Sequence, residues 1–183
     1  MQRNDLLVWI DLEMTALDVI KNSIIEIATV ITDHNLEVVA EGPDIIIHAE
    51  KAAFEDIPKD ALKIHEASGL IEEAPKSTVT LQEAEAKTLD FITTHVGPDS
   101  SPLCGNSIHM DRMFLRLQMP QIDSYLHYRC IDVSSLKSLA QYWQPELYEK
   151  WLNLRGEKKH RAMDDIMQSI EELRFYRKNF LKL

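Results

Sequence analysis

Leu6-Leu7-Val8-Trp9-Ile10 is a near-continuous apolar run, the pattern of a strand buried on both faces. Ile24 to Thr32 and Leu36 to Ala40 read as a second and a third strand. Asp44 to His48 reads as a fourth, set off by the break at Gly42-Pro43. The period then changes: Leu81, Ala84, Leu89 and Ile92 recur at helical spacing and predict an amphipathic helix over Thr80 to Val96. Pro102-Leu103-Cys104 is a short strand, closed by the turn or helix cap Gly105-Asn106-Ser107. A helix follows from Ile108 to Gln118 and stops before Pro120. Tyr128 to Val133 is a further strand, after which Ser134 or Ser135 caps a helix through Trp143. Pro145 opens another helix through Trp151, and the last helix runs from Arg161 to Phe180. Strands first, then helices and strands in alternation, predict an α/β fold with a mixed sheet and helices on both faces. A central first strand should carry chemistry at its C-terminal edge. No repeat, low-complexity tract or linker interrupts the 183 residues, which are read as one domain over 1–183.

A chain of this length can bury about 70% of its unfolded surface in one core. With 45% hydrophobic and 27% charged residues, disorder is excluded. The longest charge-free stretch, Ser100 to Met110, holds Pro102 and Gly105, so a membrane span is not expected. Asp11 and Glu13 come too early for a secretory signal, and two cysteines, Cys104 and Cys130, suit a reducing cytoplasm. The net charge of −10 argues against a uniformly basic surface for long nucleic acid. That charge is uneven. Residues 1–100 hold 20 acidic and 7 basic side chains, and residues 101–183 hold 10 acidic and 13 basic. The acidic half is either a solvated surface or the home of a cation site, and composition does not choose between them.

Candidate chemistry begins where the first strand ends. A period of two puts Asp11 and Glu13 on one face, where like charges repel unless a cation neutralises them or one stays protonated. Asp111 falls near the start of a helix, where an acid also complements the helix dipole. On the last helix, Ile166, Ile170, Leu173 and Phe180 mark the apolar face. At about 100° per residue Asp164 points away from that face, while Asp165 sits on its flank beside Ser169 and Tyr176. Asp165 is therefore the carboxylate expected at the core edge, and Asp164 the surface charge. His160 can share a site with Asp165 only from a loop before the helix, which Gly156-Glu157-Lys158-Lys159 would supply. There its imidazole suits proton abstraction near neutrality. Hard oxygen ligands without clustered Cys or His favour Mg²⁺ or Mn²⁺ over zinc.

Four blocks extend this constellation: Trp9-Ile10-Asp11-Leu12-Glu13-Met14-Thr15, Cys104-Gly105-Asn106-Ser107-Ile108 with Asp111-Arg112, His127-Tyr128-Arg129 with Asp132-Val133-Ser134, and His160-Arg161-Ala162-Met163-Asp164-Asp165-Ile166. Together and in this order they resemble the oligoribonucleases, DEDDh 3′→5′ exonucleases, over almost the whole chain. The resemblance implies a ribonuclease-H-like fold, a mixed five-stranded sheet flanked by helices on both faces. It also implies hydrolysis of very short RNA, dinucleotides especially, to nucleoside 5′-monophosphates. By resemblance, Asp11, Glu13, Asp111 and Asp165 hold two divalent cations, Mg²⁺ or Mn²⁺, and His160 activates the water. Leu17 would wedge between bases, with the backbone near Met14 facing the 2′-hydroxyl. Ser107, Arg129 and Ser134 would cap the 5′-phosphate, and Tyr128 and His65 would reach the partner's site in a homodimer. Two positions depart from the family. Ala16 stands where relatives usually have Gly, which should tighten the turn presenting Leu17, and Asp60 stands where they carry a Trp, leaving base stacking weaker or supplied elsewhere.

A rival reading keeps the fold but trims or proofreads longer strands. Long substrates need a basic track, and only Arg155, Lys158, Lys159 and Arg161 cluster, which favours short RNA over long duplex nucleic acid. A binding module without catalysis is disfavoured because all five catalytic positions are occupied.

Overall fold

The apolar run at the start of the chain forms β1 (Leu6–Met14), which the computed structural model, describing residues 5–156 and 160–181, places at the centre of a sheet. β1 pairs antiparallel with β2 (Ile24–Asp33), and β2 with β3 (Val38–Ile46). On its other side β1 pairs parallel with β4 (Pro102–Gly105), and β4 with β5 (His127–Asp132). The sheet is thus mixed and five-stranded, in the order β3-β2-β1-β4-β5. Helices α1 (Lys59–Ser68), α2 (Leu70–Glu73) and α3 (Leu81–His95) join β3 to β4. Then α4 (Ile108–Gln118) and α5 (Pro120–Tyr125) join β4 to β5, and α6 (Val133–Trp143), α7 (Pro145–Leu154) and α8 (Ala162–Tyr176) follow.

The pleat of β1 explains how both faces are covered. Val8, Ile10 and Leu12 pack into one core with Ala84 and Ile92 of α3 and Ile108, Phe114 and Leu115 of α4. Trp9 points the other way, against Ala162, Ile166 and Ile170 of α8, and its indole Nε1 donates to Thr32 Oγ1 at 2.9 Å. Burying a polar tip without a partner would cost about 1–3 kcal/mol, so this bond lets a strand bury a tryptophan completely. Arg112 of α4 is also buried; its Nε donates to Asp123 Oδ1 at 2.8 Å and Nη1 to the His127 carbonyl at 2.9 Å. One guanidinium thereby pins α4 and α5 to the start of β5.

The structure changes several expected boundaries. The strands expected over Leu36–Ala40 and Asp44–His48 merge into the single β3 at Val38–Ile46, because Gly42-Pro43 lies inside an edge strand; Leu36, with a left-handed backbone (φ 71°), Glu37, Ile47 and His48 fall outside it. An edge tolerates proline, whose missing N–H costs nothing on the solvent side, and β3 accommodates it with irregular register against β2. Gly42 is required for another reason: a Cβ there would lie 2.5 Å from Cε1 of Phe91 on α3. α3 starts where expected because Thr80 and Glu83 form a reciprocal capping box, with Thr80 N donating to Glu83 Oε2 at 2.8 Å. α6 is capped by Asp132, not by Ser134 or Ser135, since the Asp132 carboxylate accepts from Ser134 N at 2.9 Å. α7 extends to Leu154, and the last α-helix ends at Tyr176 in a π-helical turn over Arg177–Leu181. α1, α2 and α5 carried no expectation. No helix among the described residues is long and apolar enough to cross a membrane.

The Phe91 contact is testable. Gly42→Ala should lower unfolding stability by about 1–3 kcal/mol, read as a lower urea midpoint at unchanged slope. Adding Phe91→Leu should relieve the clash, so that the second substitution costs less in the Gly42→Ala background than alone.

Candidate active site

The site forms at the C-terminal end of β1, between the helix that follows β4 and the helix that packs on the Trp9 face. Asp11, Glu13 and Met14 lie within β1 itself and line a cleft of about 690 Å³. Asp165, in the first turn of α8, is 9% exposed and lines the same cleft, whereas Asp164 is exposed on the outer side. The helical-face argument thus gives the observed burial. Ligand atoms of Glu13, His160 and Asp165 all lie within 4.8 Å of one another. His160 precedes α8 rather than lying on it, with a left-handed backbone (φ 52°); Glu157, Lys158 and Lys159 of the expected loop lie outside the described residues. Asp11 and Asp111 line the cleft beside this triplet.

Asp111 is 6% exposed, and its Oδ1 accepts from Leu12 N at 3.0 Å. Burial pushes its carboxyl up to about 7, reinforced by the nearby Asp132 charge, while hydrogen bonds from the Leu12 and Asp111 backbone pull the other way. Behind it, the turn after β4 is tied to the start of α6. Ser107, itself left-handed (φ 52°), donates its N–H to Asp132 Oδ1 and to Ser134 Oγ, each at 2.9 Å. The Ser107 and Ser134 hydroxyls are 3.1 Å apart, and Ser134 Oγ donates to Asn106 Oδ1 at 2.9 Å. Asn106 in turn donates to Ser169 Oγ and Glu172 Oε2 of α8 at 2.9 and 3.0 Å. Gly105 permits this turn, because a Cβ there would approach the Ile10 carbonyl to 3.2 Å.

On the opposite wall, Leu17 is 66% exposed on the loop after β1. That loop is held by Thr15 N to the Ser23 carbonyl at 3.0 Å, and by Gln118, which donates to the Asn22 carbonyl at 2.8 Å. Ala16 lines the cleft outside the left-handed region, so its Cβ imposes no backbone strain on the turn. Asp60 also lines the cleft, with Pro58, Ala61 and Ile64 of the adjacent wall.

His65 is 2% exposed, lines its own chain's cleft, and its Nε2 donates to the Thr15 carbonyl at 3.2 Å. The ring also meets Phe54 edge-on at 5.7 Å, and burial holds its pKa below the usual value. Tyr128 and Arg129 lie on β5 and do not line the cleft; Tyr128 is 70% exposed, and the Arg129 guanidinium stacks 5.5 Å from its ring centroid. Sequence reasoning missed Asn106 as a connector, His109 as a cleft residue 3.5 Å from Asp132 Oδ2, and Glu26. Glu26 on β2 is wholly buried, opposite Glu13 in register, and bonded to Arg161 and the Ala162 N–H. An acid inside an otherwise apolar strand was the available signal.

The exonuclease family model matches residues 8–173. The oligoribonuclease of Marinobacter nauticus is 46% identical over 183 residues, covering 100% of both chains. The chain belongs to the oligoribonuclease family. Escherichia coli oligoribonuclease is likewise 46% identical, over 97% of this chain and 96% of that one. Membership makes the protein a nuclease, a hydrolase of phosphodiester bonds. The fold also matches the zinc-ion-bound form of the E. coli exonuclease I–ssDNA complex, with a TM-score of 0.69 at 15% identity. That match covers 97% of this chain but 42% of exonuclease I, so the chain spans about two fifths of that larger protein.

The residues of this oligoribonuclease-family cleft fit a divalent cation. Carboxylate oxygens dominate the donor set, and Asp111 is buried enough to keep a proton that a cation would displace. The folded protein holds that proton to about 7, whereas the carboxyl's ordinary value is 3.8. Its contribution to stability is therefore fully present below pH 3.8 and is lost as pH rises toward 7. In chelator, wild type should lose stability relative to Asp111→Asn across that window. Mn²⁺ should reverse the order above pH 7 by stabilising wild type alone, as thermal melts would read.

Proposed function

We propose that this chain is a 3′→5′ exoribonuclease that hydrolyses very short RNA oligomers, dinucleotides especially, to nucleoside 5′-monophosphates. The observation that carries the reading is the convergence of Glu13, His160 and Asp165 within 4.8 Å in a cleft of about 690 Å³. Asp11, Glu13, Asp111 and Asp165 would hold two divalent cations, Mg²⁺ or Mn²⁺. When bound, such cations stabilise the attacking and leaving oxygens of an in-line displacement. His160 accepts the proton of the attacking water on its imidazole as that oxygen bonds to phosphorus. The bond from phosphorus to the 3′-oxygen of the preceding nucleotide breaks, and that oxygen takes up a proton.

Leu17, exposed at the cleft mouth, wedges between the bases, and Met14 offers backbone to the 2′-hydroxyl. Ser107 and Ser134 present paired hydroxyls to the 5′-phosphate, and Arg129 adds a bidentate cation from β5. Arg129 lies outside the cleft lining, so its contact requires the substrate's 5′ end to extend toward β5. A homodimer remains part of the reading, with exposed Tyr128 on the edge strand as the residue offered to a partner's site. The family match and the unbroken sheet support one exonuclease domain. Free thiols at Cys104 and Cys130 suit a cytoplasmic location. The longer-strand reading loses support because Arg161, part of the basic cluster, is neutralised by Glu26 and Glu73.

With 5′-phosphorylated RNA dimers and 20-mers, Mn²⁺ should be required and the dimers should turn over faster. Cleavage in chelator would overturn the metal assignment, and faster 20-mer turnover would overturn the short-substrate assignment. In the same assay Asp165→Asn should abolish turnover, while Asp164→Asn should keep most of it.

A further inference from the structure

His160 carries the proposed proton transfer from an awkward position. Its backbone is left-handed without being glycine, and it precedes α8, so no helical hydrogen bond holds it. Nor does the helix cap itself, since Arg161 at the N-cap makes no side-chain cap bond. The missing cap comes from the sheet. Glu26 Oε2 accepts from Ala162 N at 2.9 Å, and Glu26 Oε1 accepts from Arg161 Nε and Nη2, each at 2.8 Å. Arg161 Nη1 continues to Glu73 Oε2 of α2 at 3.1 Å.

A neutral side chain would cap Ala162 as well as a carboxylate does. A wholly buried carboxylate carries a desolvation cost of several kcal/mol unless it is paired, and here its second oxygen is committed to the guanidinium. Glu26 is moreover the register partner of Glu13. The residue that grips Arg161 is thus placed by the same strand pair that places Glu13, whose ligand atom lies within 4.8 Å of His160.

We propose that Arg161, gripped by buried Glu26, is a positioning residue that sets the His160 ring against the site for proton abstraction. It touches neither substrate nor the reacting atoms; it fixes the backbone on either side of its own peptide. The proposal rests on His160 as the base, and the test separates the two.

The test uses the full chain, a 5′-phosphorylated RNA dimer and Mn²⁺, with turnover, Mn²⁺ affinity by calorimetry and thermal midpoint measured on each variant. Arg161→Gln should lower kcat about ten- to a hundredfold, the scale of a misplaced catalytic group, with KM and Mn²⁺ affinity nearly unchanged. Arg161→Lys should recover part of the rate by keeping the charge on Glu26. Glu26→Gln should reproduce the loss while still capping Ala162. In a His160→Ala background, measured at single turnover with enzyme in excess, Arg161→Gln should cost no more than about twofold further. Full additivity there, or a kcat loss accompanied by a matching fall in Mn²⁺ affinity, would overturn the positioning role. A near-normal rate for His160→Ala alone would instead overturn the assignment of the base.

Discussion

Holding carboxylates inside a packed sheet is the constraint on which the rest depends. Each acid near the end of β1 meets it differently. Asp111 is tied to the Leu12 N–H and keeps its proton to about 7. Glu26 is matched to Arg161 and to a helix N-terminus. Glu172 is buried on α8 and paired with Lys137 at 3.2 Å. Asp165 sits at the rim, where the helix dipole favours an acid in the first turn. These solutions need strands and helices that do not shift. That explains why the turn at Gly105, the Asn106 network and the Arg112 brace all converge within one or two residues of the cleft.

Much of this was legible in the chain. The apolar run of β1 gave a central strand because only a doubly covered strand can bury Leu6 through Ile10 without alternation. The separation of Asp165 from Asp164 followed from helical angle alone, and the structure shows one buried and the other exposed. Local pattern failed where tertiary contact decides. Gly42-Pro43 reads as a break, yet an edge strand absorbs it and Phe91 needs the missing Cβ. Ser134 reads as a helix cap, yet Asp132 takes that role and leaves the Ser134 hydroxyl beside Ser107. The wall formed by α1 and α2 was invisible because its few apolar residues, such as Leu70, pack against Ile25 and Phe54 rather than forming a periodic face. Glu26 is the sharpest omission, since its meaning lies in a residue 135 positions away.

The charge of −10 takes on a narrower meaning once the pairs are placed. Composition counts Arg161, Arg112 and Lys137 as cations available to a polyanion. Each is committed internally, to Glu26, to Asp123 and to Glu172. Each such pair cancels an acid along with the base, so the net charge stays at −10 while these three cations are not on offer to a polyanion. Screening confines the field of that charge to about 8 Å at physiological ionic strength, so it acts on nucleotides just beyond the cleft and hardly at all on solvent further out. A substrate that ends within the cleft meets cations held by Asp11, Glu13, Asp111 and Asp165 in the proposed mechanism. In that mechanism a longer strand would have to carry its next phosphates beyond Arg129, across a chain of net charge −10. Under that reading, preference for short RNA needs no separate gate. In the proposed mechanism it would follow from committing Arg161, Arg112 and Lys137 to partners within the fold, with Arg129 left exposed for one phosphate.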